Sequence, residues 1–347
     1  MKLIKTTLIY SPNILSFKDN PTETSFSSNK KQSEKPRDEQ QVESCHSENY
    51  QNLISYYQKA TEDYKFWSKN YHMHFGFYKK GMNPFDLEKM LLQMTKEVFE
   101  RLEIYEHIKK SNQPINAIDL GCGVGTSARY FAQIYPFAKI TAVTLVQEQI
   151  QLGKLLLTQK VENEEIRNPN IKDNIKFICT NYTATPFPKN SFTAAYAIES
   201  SCYGNGKDKF ELLEEASRLL KSGGRLVVAD GFLKHGNKLP HLVKKAYDKT
   251  CECWALPEMG QINPFVEALE KVGFENIKVE DISWKVAPSV AHVPFITLKF
   301  LLKQIKLKSL TNLNQERKNN VFAPLMTIFL GLARNHFSYY IVSATKK

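Results

Sequence analysis

The segment Ile115-Asn116-Ala117-Ile118-Asp119-Leu120-Gly121-Cys122-Gly123-Val124-Gly125-Thr126 decides how this chain folds. An apolar run of strand length reaches Leu120, glycines follow at alternate positions, and residues 126–134 then read as a helix. Glycines at these spacings let backbone approach a ligand closely, while the next helix opens with unpaired amides. The G-x-G-x-G pattern differs from the G-x-G-x-x-G dinucleotide fingerprint, so a nicotinamide enzyme is the weaker match. Asp119, Gly121, Cys122, Gly123 and Gly125 are therefore candidate ligand-binding residues, with Asp119 expected to orient the loop.

Outward from this loop, strands and helices alternate. Strands are expected over residues 115–120, 138–145, 175–179, 194–199, 225–230, 277–284 and 337–344, and helices over 126–134, 147–159, 207–220 and 261–272. Such alternation implies a mostly parallel sheet covered on both faces. Ahead of it, residues 86–107 carry Leu87, Met90, Leu91, Met94, Val98 and Leu102 at the spacing of one amphipathic helix. An aromatic stretch, Tyr71-His72-Met73-His74-Phe75-Gly76-Phe77-Tyr78, precedes that helix. The parts are then a disordered tail (1–48), an N-terminal helical cover (49–112), a core (113–286), a cap insertion (287–335) and a last strand of the core (336–347). The tail is rich in Ser, Asn, Lys, Glu, Gln and Pro, too polar to offset its chain entropy by burial. In the cap, Leu298, Leu301, Leu302 and Ile305 line one helical face, and Lys299, Lys303 and Lys306 another. Two readings stay open: a helix packed on the sheet edge or pocket, or a lid touching lipid through its basic face.

Lys and Arg together number 47 against 36 Asp and Glu, a net charge of +11, which favours acidic partners or anionic surfaces and leaves the fold undetermined. The six cysteines lack zinc-ribbon spacing, which points to a reduced intracellular chain with no metal site. Threonines interrupt the apolar residues of the first ten, and no small-residue cleavage site follows, so a signal peptide is not expected. No run reaches the ~18 consecutive apolar residues of a membrane span.

At residues 118–126 the chain resembles the first motif of class I S-adenosylmethionine-dependent methyltransferases. The resemblance implies a doubly wound, Rossmann-like, seven-stranded α/β sheet with an N-terminal cover and C-terminal cap insertions. It also implies that the glycine loop holds the methionine end of the cofactor. The second strand ends Thr144-Leu145-Val146-Gln147-Glu148-Gln149, similar to the Thr-Leu-Ser-x-x-Gln pattern of cyclopropane fatty acid synthases and tocopherol methyltransferases. That likeness gives Thr144, Leu145 and Gln149 a neutral grip on the ribose, although Val146 replaces the usual serine. Asn181 stands near the family's usual aspartate, where its carbonyl oxygen can accept from the adenine amino group, and Tyr182 could cover the adenine face. Ile198-Glu199-Ser200-Ser201-Cys202-Tyr203 resembles a segment of sterol and prenyl diphosphate C-methyltransferases, and residues 71–78 resemble the aromatic segment ahead of their core.

These likenesses imply an enzyme that binds S-adenosylmethionine, with Tyr71 added to the cofactor residues, and Glu199, Tyr203 or His74 handling charge or a proton. For His72 and His74, a packed aromatic core with satisfied nitrogens is the competing reading. The acceptor is expected to be a small hydrophobic molecule, an isoprenoid or lipid methylated at carbon. The nearest alternative is O- or N-methylation of a polar or aromatic small molecule; a non-catalytic cofactor-binding protein and a nucleic-acid methyltransferase are remoter. No Asn-Pro-Pro-Tyr motif ends the fourth strand, which argues against a nucleic-acid partner. A cytoplasmic protein with peripheral membrane contact fits these expectations.

Overall fold

The computed structural model describes residues 48–111, 114–166, 168, 171–236, 238–306 and 315–347. The tail expected over 1–48 lies outside them apart from Glu48, as does Cys45. The five described cysteines are free thiols.

The N-terminal cover contains helices α1 (Glu48–Ala60), α2 (Tyr64–Trp67), α3 (Leu87–Arg101) and α4 (Ile104–Ser111). Asp86 caps α3, its carboxylate accepting from the Lys89 amide, and the stripe Leu87, Met90, Leu91, Met94 and Val98 is buried as the periodicity requires. The single helix expected over 86–107 is broken: Leu102 and Ile104 both bury themselves, and Glu103 between them takes a left-handed φ of 53°.

The strands are β1 (Asn116–Leu120), β2 (Lys139–Thr144), β3 (Ile175–Cys179), β4 (Phe192–Ile198), β5 (Leu220–Leu233), β6 (Gly260–Gln261), β7 (Phe274–Asp281) and β8 (Phe337–Lys346). The main path runs β3-β2-β1-β4-β5-β8-β7, with the two-residue β6 beside β5. β1 to β5 are parallel, and β8 inserts antiparallel between β5 and β7. This is the doubly wound architecture expected from the alternation. Helices α5 (Thr126–Ile134), α6 (Gln147–Glu162), α7 (Ile171–Asn174), α8 (Phe210–Leu219), α9 (His241–Cys253) and α10 (Ile262–Lys271) follow in the core.

Successive strand residues feed two cores because the side-chain period of a strand is two. Ala194, Tyr196 and Ile198 of β4 join Phe99 of α3 and Phe131 of α5 on one face. Ala195 and Ala197 join Leu212 and Leu219 of α8 and Phe265 of α10 on the other. Phe99 is central to the first core, meeting the rings of Phe131 and Tyr196 edge-on at 5.2 and 5.1 Å.

The cap differs most from expectation. It consists of α11 (Ser283–Val290), α12 (Val293–Lys306) and α13 (Gln315–Leu332). Trp284, expected to end a strand, instead sits in α11 and is exposed, because β7 stops at Asp281, whose carboxylate accepts from the Ser283 amide. On α12, Val293, Phe300 and Gln304 turn inward, while Leu298 and Leu302 face solvent. The apolar stripe assigned from sequence is therefore not the packed face; Ile305 and Lys306 lie among side chains outside the described set.

Phe99→Ala should remove about 3–5 kcal/mol of stability, the usual cost of emptying a fully buried aromatic site. Urea titration checks this; a loss below about 1 kcal/mol would show that Phe99 does not organise this core.

Candidate functional site: two cavities that meet at Glu199

The glycine loop lies where β1 ends. Gly121, Gly123 and Gly125 have φ of 93°, 52° and 73°, a region that side chains with a Cβ enter at a cost of about 1–2 kcal/mol per residue. The Gly121 and Cys122 amides donate to the Val143 carbonyl at 3.1 and 2.8 Å, tying the loop to β2. A Cβ on Gly121 would strike the Ser200 side chain, and one on Gly123 would come within 2.8 Å of Met73 Sδ. Asp119 does not orient the loop through these amides. Its carboxylate accepts from Tyr196 Oη at 3.0 Å, and burial raises it to about 7 despite that bond.

Around the loop opens a cavity of about 860 Å³, including its solvent-open part. Of the residues expected to bind cofactor, Tyr71, Asp119, Gly121, Cys122, Gly123, Thr144, Leu145, Gln149, Asn181 and Tyr182 line it. Gly125 does not, and serves instead to let the start of α5 pack on the Phe177 ring. Thr144 Oγ1 donates to Gln149 Oε1 at 2.8 Å, and Gln149 Nε2 donates to Thr61 Oγ1 at 3.4 Å, so this neutral pair is held from behind by the cover. Asn181 Oδ1 accepts from the Thr183 amide, fixing the side chain while leaving its second lone pair available. Tyr182 Oη donates to the Ser200 carbonyl at 2.8 Å.

A second cavity of about 970 Å³ lies between the cover and the cap. Its walls are largely apolar and aromatic, including Tyr64, Phe66 and Trp67 from the cover and Val293, Ile296 and Phe300 from α12. Among its described lining residues the one guanidinium, that of Arg317, is committed to Asp63 through contacts of 2.9 and 2.8 Å.

Tyr57, Met73, His74, Glu199 and Tyr203 line both cavities. All three residues named from sequence as proton or charge handlers are thus at the junction. Glu199 follows β4 with a φ of 47°, strained for a non-glycine residue. Its Oε1 accepts from the Phe75 amide at 2.6 Å and from Tyr339 Oη at 2.8 Å. Among the described residues neither of these bonds falls on Oε2, and Glu199 lines both cavities. Burial raises this carboxyl to about 8; the nearby Asp230 charge adds to the rise, and the two hydrogen bonds work against it.

His74 is arranged differently. Its Nδ1 must donate to the Phe75 carbonyl, 2.8 Å away, so Nε2 is the acceptor for His72 Nδ1 at 3.2 Å. Burial lowers His74 to about 4 and holds His72 well below its usual range, so both rings are neutral. His74 is better read as a positioning group than as a base. Tyr203 Oη shares a 2.8 Å hydrogen bond with Tyr57 Oη, and burial raises both phenols well above the ordinary range.

Sequence reasoning missed Tyr57, Met73 and Tyr339 as site residues, and missed two that brace it. Asp230 Oδ2 accepts from Ser201 Oγ and the Cys202 amide, and Lys209 Nζ donates to the carbonyls of Cys202, Gly204 and Glu258. Together they fix the turn that carries Tyr203. Among the described residues, no group of three or more His, Cys, Asp or Glu is arranged to hold a metal ion.

Comparisons with known proteins agree with this geometry. Residues 118–228 match the family model described as a methyltransferase domain. A relative in Oryza sativa subsp. japonica, described as "Probable tocopherol O-methyltransferase, chloroplastic", is 26% identical over 62% of this chain and 58% of its own length, so this chain spans less than two thirds of that protein. The cycloartenol-C-24-methyltransferase of Arabidopsis thaliana is 26% identical over 75% of this chain and 70% of its own. Among solved structures, geranyl diphosphate C-methyltransferase from Streptomyces coelicolor A3(2), held with Mg2+, geranyl diphosphate and S-adenosyl-L-homocysteine, shares the fold at a TM-score of 0.60 and 17% identity, covering 87% of this chain and 99% of that one. The glycine loop, the sheet order and the matched domain agree: residues 118–228 are a methyltransferase domain, and the chain is similar to S-adenosylmethionine-dependent methyltransferases.

Proposed function

We propose that the protein transfers a methyl group from S-adenosylmethionine to carbon in a small hydrophobic acceptor of isoprenoid or lipid type. The observation that carries this reading is the meeting of a glycine-loop cavity with an apolar aromatic cavity at Glu199. The first cavity fits the cofactor: Gly121 and Gly123 make a cradle that a Cβ would fill, and Thr144, Gln149 and Asn181 offer neutral polar atoms beside it. Bound there, S-adenosylmethionine supplies an electrophilic methyl group carried on a sulfonium.

The chain's own residues do the rest. Tyr64, Phe66, Trp67 and Phe300 exclude water from the acceptor and give its apolar body a surface to pack on. The ring faces of Tyr57 and Tyr203 suit positive charge at the junction without attacking it. A carbon acceptor that gains a methyl cation equivalent must shed a proton to become neutral, and Glu199 Oε2 is the group suited to take it. Tyr339 and the Phe75 amide orient that carboxylate through Oε1, and the His72–His74 pair steadies the wall beside it. The relatives named for tocopherol and cycloartenol support a hydrophobic acceptor. Arg317, already paired with Asp63, leaves the acceptor cavity without a free guanidinium for a diphosphate among its described lining residues, which favours a neutral acceptor.

Gly121→Ala should weaken S-adenosylhomocysteine binding about tenfold or more by calorimetry, and unaltered affinity would remove the glycine loop from the cofactor site. Glu199 must be ionised to accept a proton, so kcat/KM for the cofactor should rise with pH through about 8 and then level off. Glu199→Gln should abolish that limb and lower kcat by about 10²–10⁴-fold; a variant of near wild-type rate would dismiss Glu199 as the base. The acceptor class is tested by incubating the protein with ¹³C-methyl cofactor and a lipid extract. A carbon-bound methyl in the lipid fraction supports the reading, a methoxy signal there means O-methylation, and label confined to polar products overturns the hydrophobic acceptor.

A further inference from the structure

The inner side of α12 roofs the acceptor cavity with Val293, Ile296 and Phe300, yet its outer side is also apolar. Phe295, Leu298 and Leu302 are 76%, 55% and 57% exposed, and their spacing puts them on one stripe of the helix. A helix apolar on two sides needs a second apolar contact or pays continuously for the water on its outer side.

Charge identifies what fits against it. From residue 282 to residue 315 the sequence holds no Asp or Glu, while Lys285, Lys299, Lys303, Lys306 and Lys308 are all present. Lys299 and Lys303 are exposed on α12, adjoining Leu298 and Leu302 in sequence, with the Lys303 ammonium resting 4.8 Å from the centroid of the Phe66 ring. Apolar side chains interleaved with lysines, in a chain of net charge +11, match an anionic bilayer surface, where acyl chains take the apolar groups and headgroups take the ammonium groups. Residues 283–304 are apolar enough by composition to cross a bilayer, but Val286, Ser289, Val293, Phe300 and Gln304 are committed to the protein interior. The outer stripe of α12 carries no such commitment and is placed to meet lipid.

We propose that α12 docks the protein on anionic lipid bilayers through the stripe Phe295, Leu298 and Leu302 and the flanking Lys299 and Lys303, lying in the interface without spanning it. This surface is distinct from both cavities and stands whether or not the acceptor is a lipid. The full chain should co-sediment with vesicles of phosphatidylcholine mixed with phosphatidylglycerol, more weakly as salt rises, and poorly with phosphatidylcholine alone. The triple substitution Phe295→Ser, Leu298→Ser, Leu302→Ser should weaken this binding about tenfold or more, as should Lys299→Glu with Lys303→Glu. Circular dichroism and S-adenosylhomocysteine affinity of the triple variant should match the unsubstituted protein, which separates lost docking from lost folding. No sedimentation with the anionic vesicles, undiminished binding by the triple variant, or retention through a carbonate wash that strips peripheral proteins would each overturn the proposal. So would a dimer by analytical ultracentrifugation that the triple substitution dissolves, because the stripe would then belong to a second copy of the chain.

Discussion

Glu199 Oε1 accepts hydrogen bonds from the Phe75 amide, 124 residues away in sequence, and from Tyr339 Oη, 140 residues away. One buried oxygen thereby joins the cover, the end of β4 and the antiparallel strand β8. The joint matters because residues 71–78 form neither helix nor strand, so their amides must find partners elsewhere. Gly76 donates to Ser289 Oγ of the cap, Phe77 to the Met90 carbonyl of α3 and Tyr78 to the Lys285 carbonyl of α11. Successive amides from Phe75 onward thus reach the end of β4, α11, α3 and α11 again. The wall between the two cavities is assembled by these borrowed bonds, and Glu199 is the only partner among them that also faces the cavities.

Such an arrangement explains what was legible beforehand. The glycine loop is local: strand, alternating glycines and helix follow within about a dozen residues, and positive φ at Gly121 and Gly123 is a requirement that glycine alone meets easily. Glu199 and Tyr203 were legible because the segment that carries them is a contiguous motif at the carboxyl end of a strand. Tyr57 and Tyr339 were not, since each is one tyrosine among 16 and reaches the site only by tertiary packing. Nothing in a strand pattern distinguishes Tyr339, whose hydroxyl meets a carboxylate, from Tyr340 on the other face of β8. The histidines were legible as a pair, but their proton positions depend on one carbonyl, that of Phe75, which no sequence pattern announces.

The cap marks the limit of periodicity as a guide. Val293, Ile296 and Phe300 make one apolar stripe on α12, and Phe295, Leu298 and Leu302 make another. With two stripes available, spacing cannot say which one packs, because hydrophobic burial is non-directional and depends on what the neighbouring elements offer. Here the partner is the aromatic cover: the Phe66 and Phe300 rings meet edge-on at 5.1 Å, and Arg317 lies over Phe300 while pairing with Asp63. The break at Glu103 has the same origin. The stripe of α3 continues in sequence to Leu102, but turning there lets Ile104 enter the core as well.

The electrostatics of the junction follow from its burial. His72 and His74 are held neutral by desolvation, and Glu199 and Asp119 are pushed toward their neutral forms by the same cause. The wall between the cavities therefore offers little fixed charge of either sign. That suits an apolar acceptor, which gains nothing from charged walls and would suffer from water they retain. It also makes Glu199 responsive: a carboxyl whose proton is held chiefly by desolvation releases it more readily when a cation shares its surroundings. The two bonds on Oε1 hold the carboxylate in place where Glu199 lines both cavities. A carboxyl poised in this way ionises when a positive charge is beside it and keeps its proton when it is not, which in the proposed reaction ties the availability of a base to the presence of the sulfonium.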